Sequence, residues 1–118
     1  MTTLQCIEAL KGFSAISSKE LSFKSSFYVA QNITKLEEVV KPFEQERNKF
    51  IETLRSKTFE EDGKPKVSDE AAKQFQDDVQ ELLDQKHRIK ITSVQIPSDL
   101  EGVDANSIKG CIKFLKMV

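Results

Sequence analysis

The sequence is poor in the residues from which small active sites are built. Its 118 residues hold one histidine, two cysteines and four glycines. A metal centre needs three or four converging ligands, and one histidine with two cysteines at opposite ends of the chain does not supply them. Two helices with paired carboxylates can cradle a di-metal centre, but that site also draws on Glu-x-x-His, which is absent here. The acidic stripes Asp77, Asp78, Glu81, Asp84 and Glu37, Glu38, Glu44, Glu46 therefore read as solvated helix faces. Gly63 is not followed by Lys-Ser or Lys-Thr, so no phosphate cradle is present. His87 could act as a general base toward a cysteine. Neither Cys6 nor Cys111 lies in a glycine-rich or nucleophile-elbow context, so His87 reads as a residue at a helix boundary. No catalytic, cofactor-binding or metal-ligating residue is assigned, and the expectation is a protein that is not an enzyme and has no cofactor.

Charge of one sign is not in excess either. Eighteen basic and nineteen acidic residues leave a formal net charge of -1. Generic nucleic-acid binding runs on unbalanced Lys and Arg, so nucleic acid is not an expected partner. No basic amphipathic segment suggests a membrane surface, and no apolar run approaches the roughly 20 residues of a span. The opening Met1-Thr2-Thr3-Leu4-Gln5 lacks a basic region followed by an apolar stretch, so the expected location is the cytoplasm. Cys6 and Cys111 sit among apolar residues and read as small buried hydrophobes in a reducing compartment; whether they meet is open.

What is present is helical periodicity. Residues 3–11 read as a short helix with Thr2 and Gln5 at capping-box spacing, stopped by Gly12. Residues 13–24 read as irregular, with a short strand over 21–23, and Ser25 or Ser26 as the next cap. Over residues 26–58, Val29, Ile33, Leu36, Val40, Phe43, Phe50 and Leu54 follow steps of four and three. Arg47 fills the gap in that seam. Pro42 predicts a kink near 38–42 or two helices meeting there. Glu37 with Lys41, Glu46 with Lys49 and Glu52 with Arg55 stand at pairing distance along the helix. Residues 59–67 read as a turn around Gly63 and Pro65. Ser68 caps a second seam, Ala72, Phe75, Val79, Leu82 and Lys86, with Leu83 widening it. A short connection between two seams predicts an antiparallel pair of helices.

Residues 88–96 change period. Ile89 and Ile91, then Val94 and Ile96, alternate on opposite parity, which predicts a strand with a bulge near Ser93. Its partner would be residues 21–23 or a second copy of the chain. The basic run Lys86, His87, Arg88, Lys90 reads as a guarded strand edge, or as a contact for a phosphate or an acidic partner. Residues 98–103 read as a loop. After Asp104 a last helix follows, with Ile108, Cys111, Ile112 and Leu115 on its apolar face. The expected fold is mainly α with a small β element (α+β). It is a single domain over residues 1–118: a long antiparallel helical hairpin flanked by short terminal helices and one or two strands.

Aromatic weight supplies the functional hint. Two helices alone cannot bury Phe27, Tyr28, Phe43, Phe50, Ile51 and Phe75 together with the seam, so the excess should meet the end helices or another polypeptide. The expected contact residues are these six with Arg88, Ile89, Lys90 and Ile91. The expected partners are proteins, another copy of the chain among them.

Three stretches carry a family likeness. The first is a capped helix leading to Phe27-Tyr28-Val29-Ala30-Gln31-Asn32-Ile33. The second is a charged hairpin with its Asp62-Gly63 turn. The third is a long helix, an alternating strand, then Asp99-Leu100-Glu101-Gly102-Val103 and a terminal helix. In this order of parts the chain resembles a family of small helical-hairpin proteins of tailed bacteriophages and prophages. It departs from them at residues 21–25, where relatives tend to have a proline. The resemblance implies a phage origin and a non-enzymatic accessory role in the host cytoplasm or in the virion. That role would be virion assembly or, alternatively, inhibition of a host enzyme or defence factor.

Overall fold

The computed structural model describes residues 1–61, 63–97 and 105–117. Helix α1 spans Thr3–Ser17. It begins on the capping box foreseen at Thr2: the Thr2 hydroxyl accepts from Gln5 N at 3.1 Å, and Gln5 Oε1 accepts from Thr2 N at 2.9 Å. The helix does not stop at Gly12 but runs five residues further. Gly12 is buried within it, because a Cβ there would lie 2.5 Å from Cys111 Sγ. The glycine serves a close approach between α1 and the C-terminal segment, not a helix end.

Helix α2 spans Phe23–Ser56, 34 residues in one element. Its cap is Ser22, whose hydroxyl accepts from Ser25 N at 3.2 Å. Residues 21–23 therefore form no strand: Leu21 and Ser22 lead into the helix and Phe23 begins it. Pro42 does not divide α2 into two helices. The three predicted ion pairs are present on its surface, Lys41–Glu37 at 3.5 Å, Lys49–Glu46 at 3.0 Å and Arg55–Glu52 at 2.8 Å. Each is solvent-exposed and contributes little beside packing.

The segment read as a turn contains two short strands. β1 (Phe59–Glu61) pairs antiparallel with β2 (Lys64–Lys66), and Gly63 adopts φ +75° between them. That left-handed conformation suits glycine in a tight hairpin turn. Helix α3 spans Asp69–Asp84, capped by Ser68 as expected, with Asp69 and Glu70 in its first turn.

The alternating segment is only partly a strand. β3 is Val94–Ile96, and residues 87–93 have no regular secondary structure. The parity change is nonetheless real. Val94 and Ile96 are buried, Ile89 and Ile91 pack against the same core, and Ser93 between the pairs is exposed. The backbone of residues 85–92 is held in several ways. Thr3 N donates to Gln85 O at 2.9 Å, and His87 N donates to Met1 O at 2.7 Å. Asn32, fully buried in α2, donates to Thr92 O at 2.8 Å and accepts from Thr92 N at 2.9 Å. One amide side chain thus does for Thr92 what a neighbouring strand would do.

Within the chain the partner of β3 is not residues 21–23. It is β4 (Leu115–Met117), paired parallel as Val94↔Leu115, Gln95↔Lys116 and Ile96↔Met117. The predicted loop 98–103 and Asp104 lie outside the described residues. The last helix is much shorter than predicted: α4 covers Ala105–Ile108, and a 3₁₀ turn over Ile112–Phe114 leads into β4. Ile108 and Cys111 are buried as foreseen, but Ile112 is exposed. At Gly110 the chain passes against the Glu8 backbone, where a Cβ would collide, and this contact takes the place of a further helical turn.

The fold is mainly α with a small β element. Its core sits at one end, where Cys6, Ala9, Phe13 and Ile16 of α1 meet Val29, Leu36 and Val40 of α2, together with Val94, Ile96, Ile108 and Cys111. The molecule measures 58 × 30 × 18 Å, and its radius of gyration is 18.4 Å. A compact chain of this length would have about 13.5 Å, so a large part of it extends away from the core.

Candidate interaction surface

The extended part is residues 43–85, here termed the arm. It comprises the C-terminal half of α2, the β1–β2 turn and α3; the remainder is the body. Val40 is the last buried residue of α2, and α3 has none. Yet both segments carry the apolar spacing of packing helices. Phe43, Phe50, Ile51 and Leu54 on α2, and Phe75, Val79, Leu82 and Leu83 on α3, are all half-buried. Phe50, Leu54, Ala71 and Phe75 line one groove between the two helices, bordered by Thr53, Lys57, Gln74 and Asp78. Nearer the body, Val39, Pro42, Phe43 and Leu82 line a second cleft with Thr3 and His87. The apolar stripe is therefore continuous but shallowly covered.

The other expected contact residues divide between two settings. Phe27 is 56% exposed and Tyr28 is half-buried, with their ring centroids 6.0 Å apart. Ile89 and Ile91 pack onto the body core, while Arg88 and Lys90 are exposed. Lys90 O accepts from Lys35 Nζ at 3.0 Å, which ties this segment to α2. The structure thus brings Phe43, Phe50, Ile51 and Phe75 together on the arm and leaves the 88–91 group on the body. One residue that sequence reasoning passed over is Phe23, 89% exposed. It stands one turn before Phe27, and this four-residue spacing was the signal that could have found it.

The reactive residues are not arranged around one another. Thr3 Oγ1 and His87 Nε2 lie 2.7 Å apart, so that ring nitrogen already has a partner. Both cysteines are free and buried. Burial pushes the Cys111 thiol up to about 11, against a smaller opposing effect from a backbone hydrogen bond. Burial also raises Cys6, offset in part by the positive amino terminus. Thiols held in this way carry little thiolate near neutral pH and are poor nucleophiles. Among the described residues no three His, Cys, Asp or Glu side chains gather as a metal site would require. Among the same residues no helix is long and apolar enough to cross a membrane.

No protein-family model, curated protein or solved structure matches this chain.

Proposed function

We propose that this chain is a non-enzymatic phage accessory protein that acts through protein–protein contact in virion structure or assembly. In this reading α2 and α3 form a long antiparallel helical hairpin, and its half-covered stripe is the contact surface. The observation that carries it is that α3 is amphipathic but buries no residue. Two helices of about 14–16 residues pack stably only when their apolar faces are covered, since helical propensity alone is marginal at this length. A neighbouring polypeptide would complete that cover. The phage setting rests on the resemblance carried by residues 27–33, the Asp62-Gly63 turn and residues 99–103. The groups available for chemistry are few and apart, which supports a role without catalysis.

The test is genetic and compositional. Phe50→Ser with Phe75→Ser, placed in the phage that encodes the chain, should abolish particle yield while the cellular level of the chain is unchanged. Purified wild-type particles, or their assembly intermediates, should contain the chain by mass spectrometry. Normal yield from the double variant would overturn the reading. A chain absent from particles and intermediates, but bound through this arm to a host enzyme, would keep the contact surface and remove the assembly role.

A further inference from the structure

The near-neutral net charge conceals a segregation. Residues 43–85 carry twelve acidic and seven basic side chains, and the rest of the chain carries seven acidic and eleven basic ones. The arm is net negative and the body net positive. Acidity is concentrated on α3, where Asp69, Glu70, Asp77, Asp78, Glu81 and Asp84 are set against Lys73 alone. None of these carboxylates makes an ion pair among the described residues. Asp78 borders the open groove lined by Phe50, Leu54 and Phe75, and Glu81 stands one turn further along α3.

The body has a surface of the opposite kind. Lys24, Tyr28, Gln95 and Lys116 line one cleft beside the start of α2, and among the described residues no carboxylate lines it. The Lys24 ammonium lies 5.8 Å from the Tyr28 ring centroid. The exposed rings of Phe23 and Phe27 stand on the same helix, with Phe27 against Tyr28. Here aromatic surface is bordered by cations, whereas on the arm apolar surface is bordered by carboxylates.

We infer that the occupant of the arm is the body of a second copy. The groove side of α3 seats on the cleft lined by Lys24, Tyr28 and Lys116 of the next chain, beside which the exposed Phe27 stands. The inference rests on the reading of the arm as a contact surface and names its partner. Charge selects this pairing, because two arms brought face to face would set one net-negative surface against another. A helix of sixteen residues is about 24 Å long and two packed helices are roughly 20 Å wide, so the arm offers about 500 Å² per copy. The resulting total of about 1,000 Å² lies at the lower limit for a specific interface, so association is weak and reversible. The two surfaces differ, so contact is head-to-tail and generates an open chain or a ring.

Two variants separate the surfaces. Asp78→Lys with Glu81→Lys disables the arm and leaves the body intact. Lys24→Glu with Lys116→Glu does the reverse. Sedimentation velocity from about 5 to about 300 µM should show wild-type mass rising past a dimer at low salt and falling back at high salt. Each variant alone should self-associate at least about tenfold more weakly, and an equimolar mixture should form a dimer that grows no further. Either a mixture that stays monomeric, or a body variant that dimerises as well as wild type, overturns the inference; the second result would indicate arm-to-arm pairing. A wild-type chain that is monomeric throughout also overturns it. The arm would then remain a contact surface only if a photo-crosslinker at position 75 still captured another protein in producing cells, and without that capture both readings fall. Circular dichroism checks each fold. A variant that loses helix is replaced by Asp78→Asn with Glu81→Gln, or by Lys24→Gln with Lys116→Gln, for which the same outcomes apply.

Discussion

Replacing Gly12 by alanine sets two effects against each other. Alanine in a helix interior is favoured over glycine by about 1 kcal/mol, so a residue that merely sat in α1 would stabilise the protein when substituted. Here the new methyl would lie 2.5 Å from Cys111 Sγ, 2.9 Å from its Cβ and 3.1 Å from its backbone nitrogen. The sulfur alone could turn aside, but the Cβ and the nitrogen move only if the segment after α4 moves. Gly110 lies about one turn of α1 away, tight against the Glu8 backbone, and resists that shift. Overpacking of this kind costs about 1–3 kcal/mol, and the contact with main chain places it near the top of that range. The net expectation is a loss of about 2 kcal/mol, or roughly 6–12 °C in Tm for a chain of this length. Urea titration followed by circular dichroism at 222 nm measures it. Adding Cys111→Ala to the Gly12→Ala protein should recover part of the loss, with a favourable coupling of about 1 kcal/mol. A Gly12→Ala protein as stable as wild type, or more so, would refute the close approach.

Three other outcomes follow from particular contacts. Asn32→Ala leaves the Thr92 amide and carbonyl without their side-chain partner and should cost about 2–4 kcal/mol in chemical denaturation. The Cys111 thiol is raised in the folded state from its ordinary value of 9.0 to about 11, so the folded protein holds a proton there that the unfolded chain releases first. Its contribution is fully present below pH 9 and declines through pH 11, and the decline should be shallower in Cys111→Ala. Hydrogen exchange at low micromolar concentration should find the amides of α3 at least about 100-fold less protected than those of α1 between Cys6 and Ile16, because α3 buries nothing.

What could be read from the sequence was local. The Thr2–Gln5 capping box, the Ser68 cap and the three ion pairs of α2 depend on residues three or four apart, and spacing defines them. The seams of α2 and α3 were legible for the same reason. What failed depended on distant partners. Gly12 suggested a helix end because glycine commonly provides one, but its role comes from Cys111, ninety-nine positions away. Alternation over residues 88–96 reported which side chains face the core, and it did so correctly. It could not report that Thr92 is served by an amide in α2 while β3 pairs with residues 115–117. The terminal helix was overextended because its apolar spacing is helical, whereas Gly110 is held against α1. On the arm, composition indicated that the aromatic surface exceeded what two helices cover. The charge segregation between arm and body was hidden by summing the whole chain.

In the proposed function, the stripe joining Phe43, Phe50 and Phe75 faces another polypeptide. A photo-reactive phenylalanine analogue at position 75, compared with one at the exposed position 76, tests it in cells that make the chain. A discrete crosslinked product is expected from position 75, lost when Phe50→Ser is added, and little or none from position 76. Equal yields from the two positions, or no product from position 75, would contradict it.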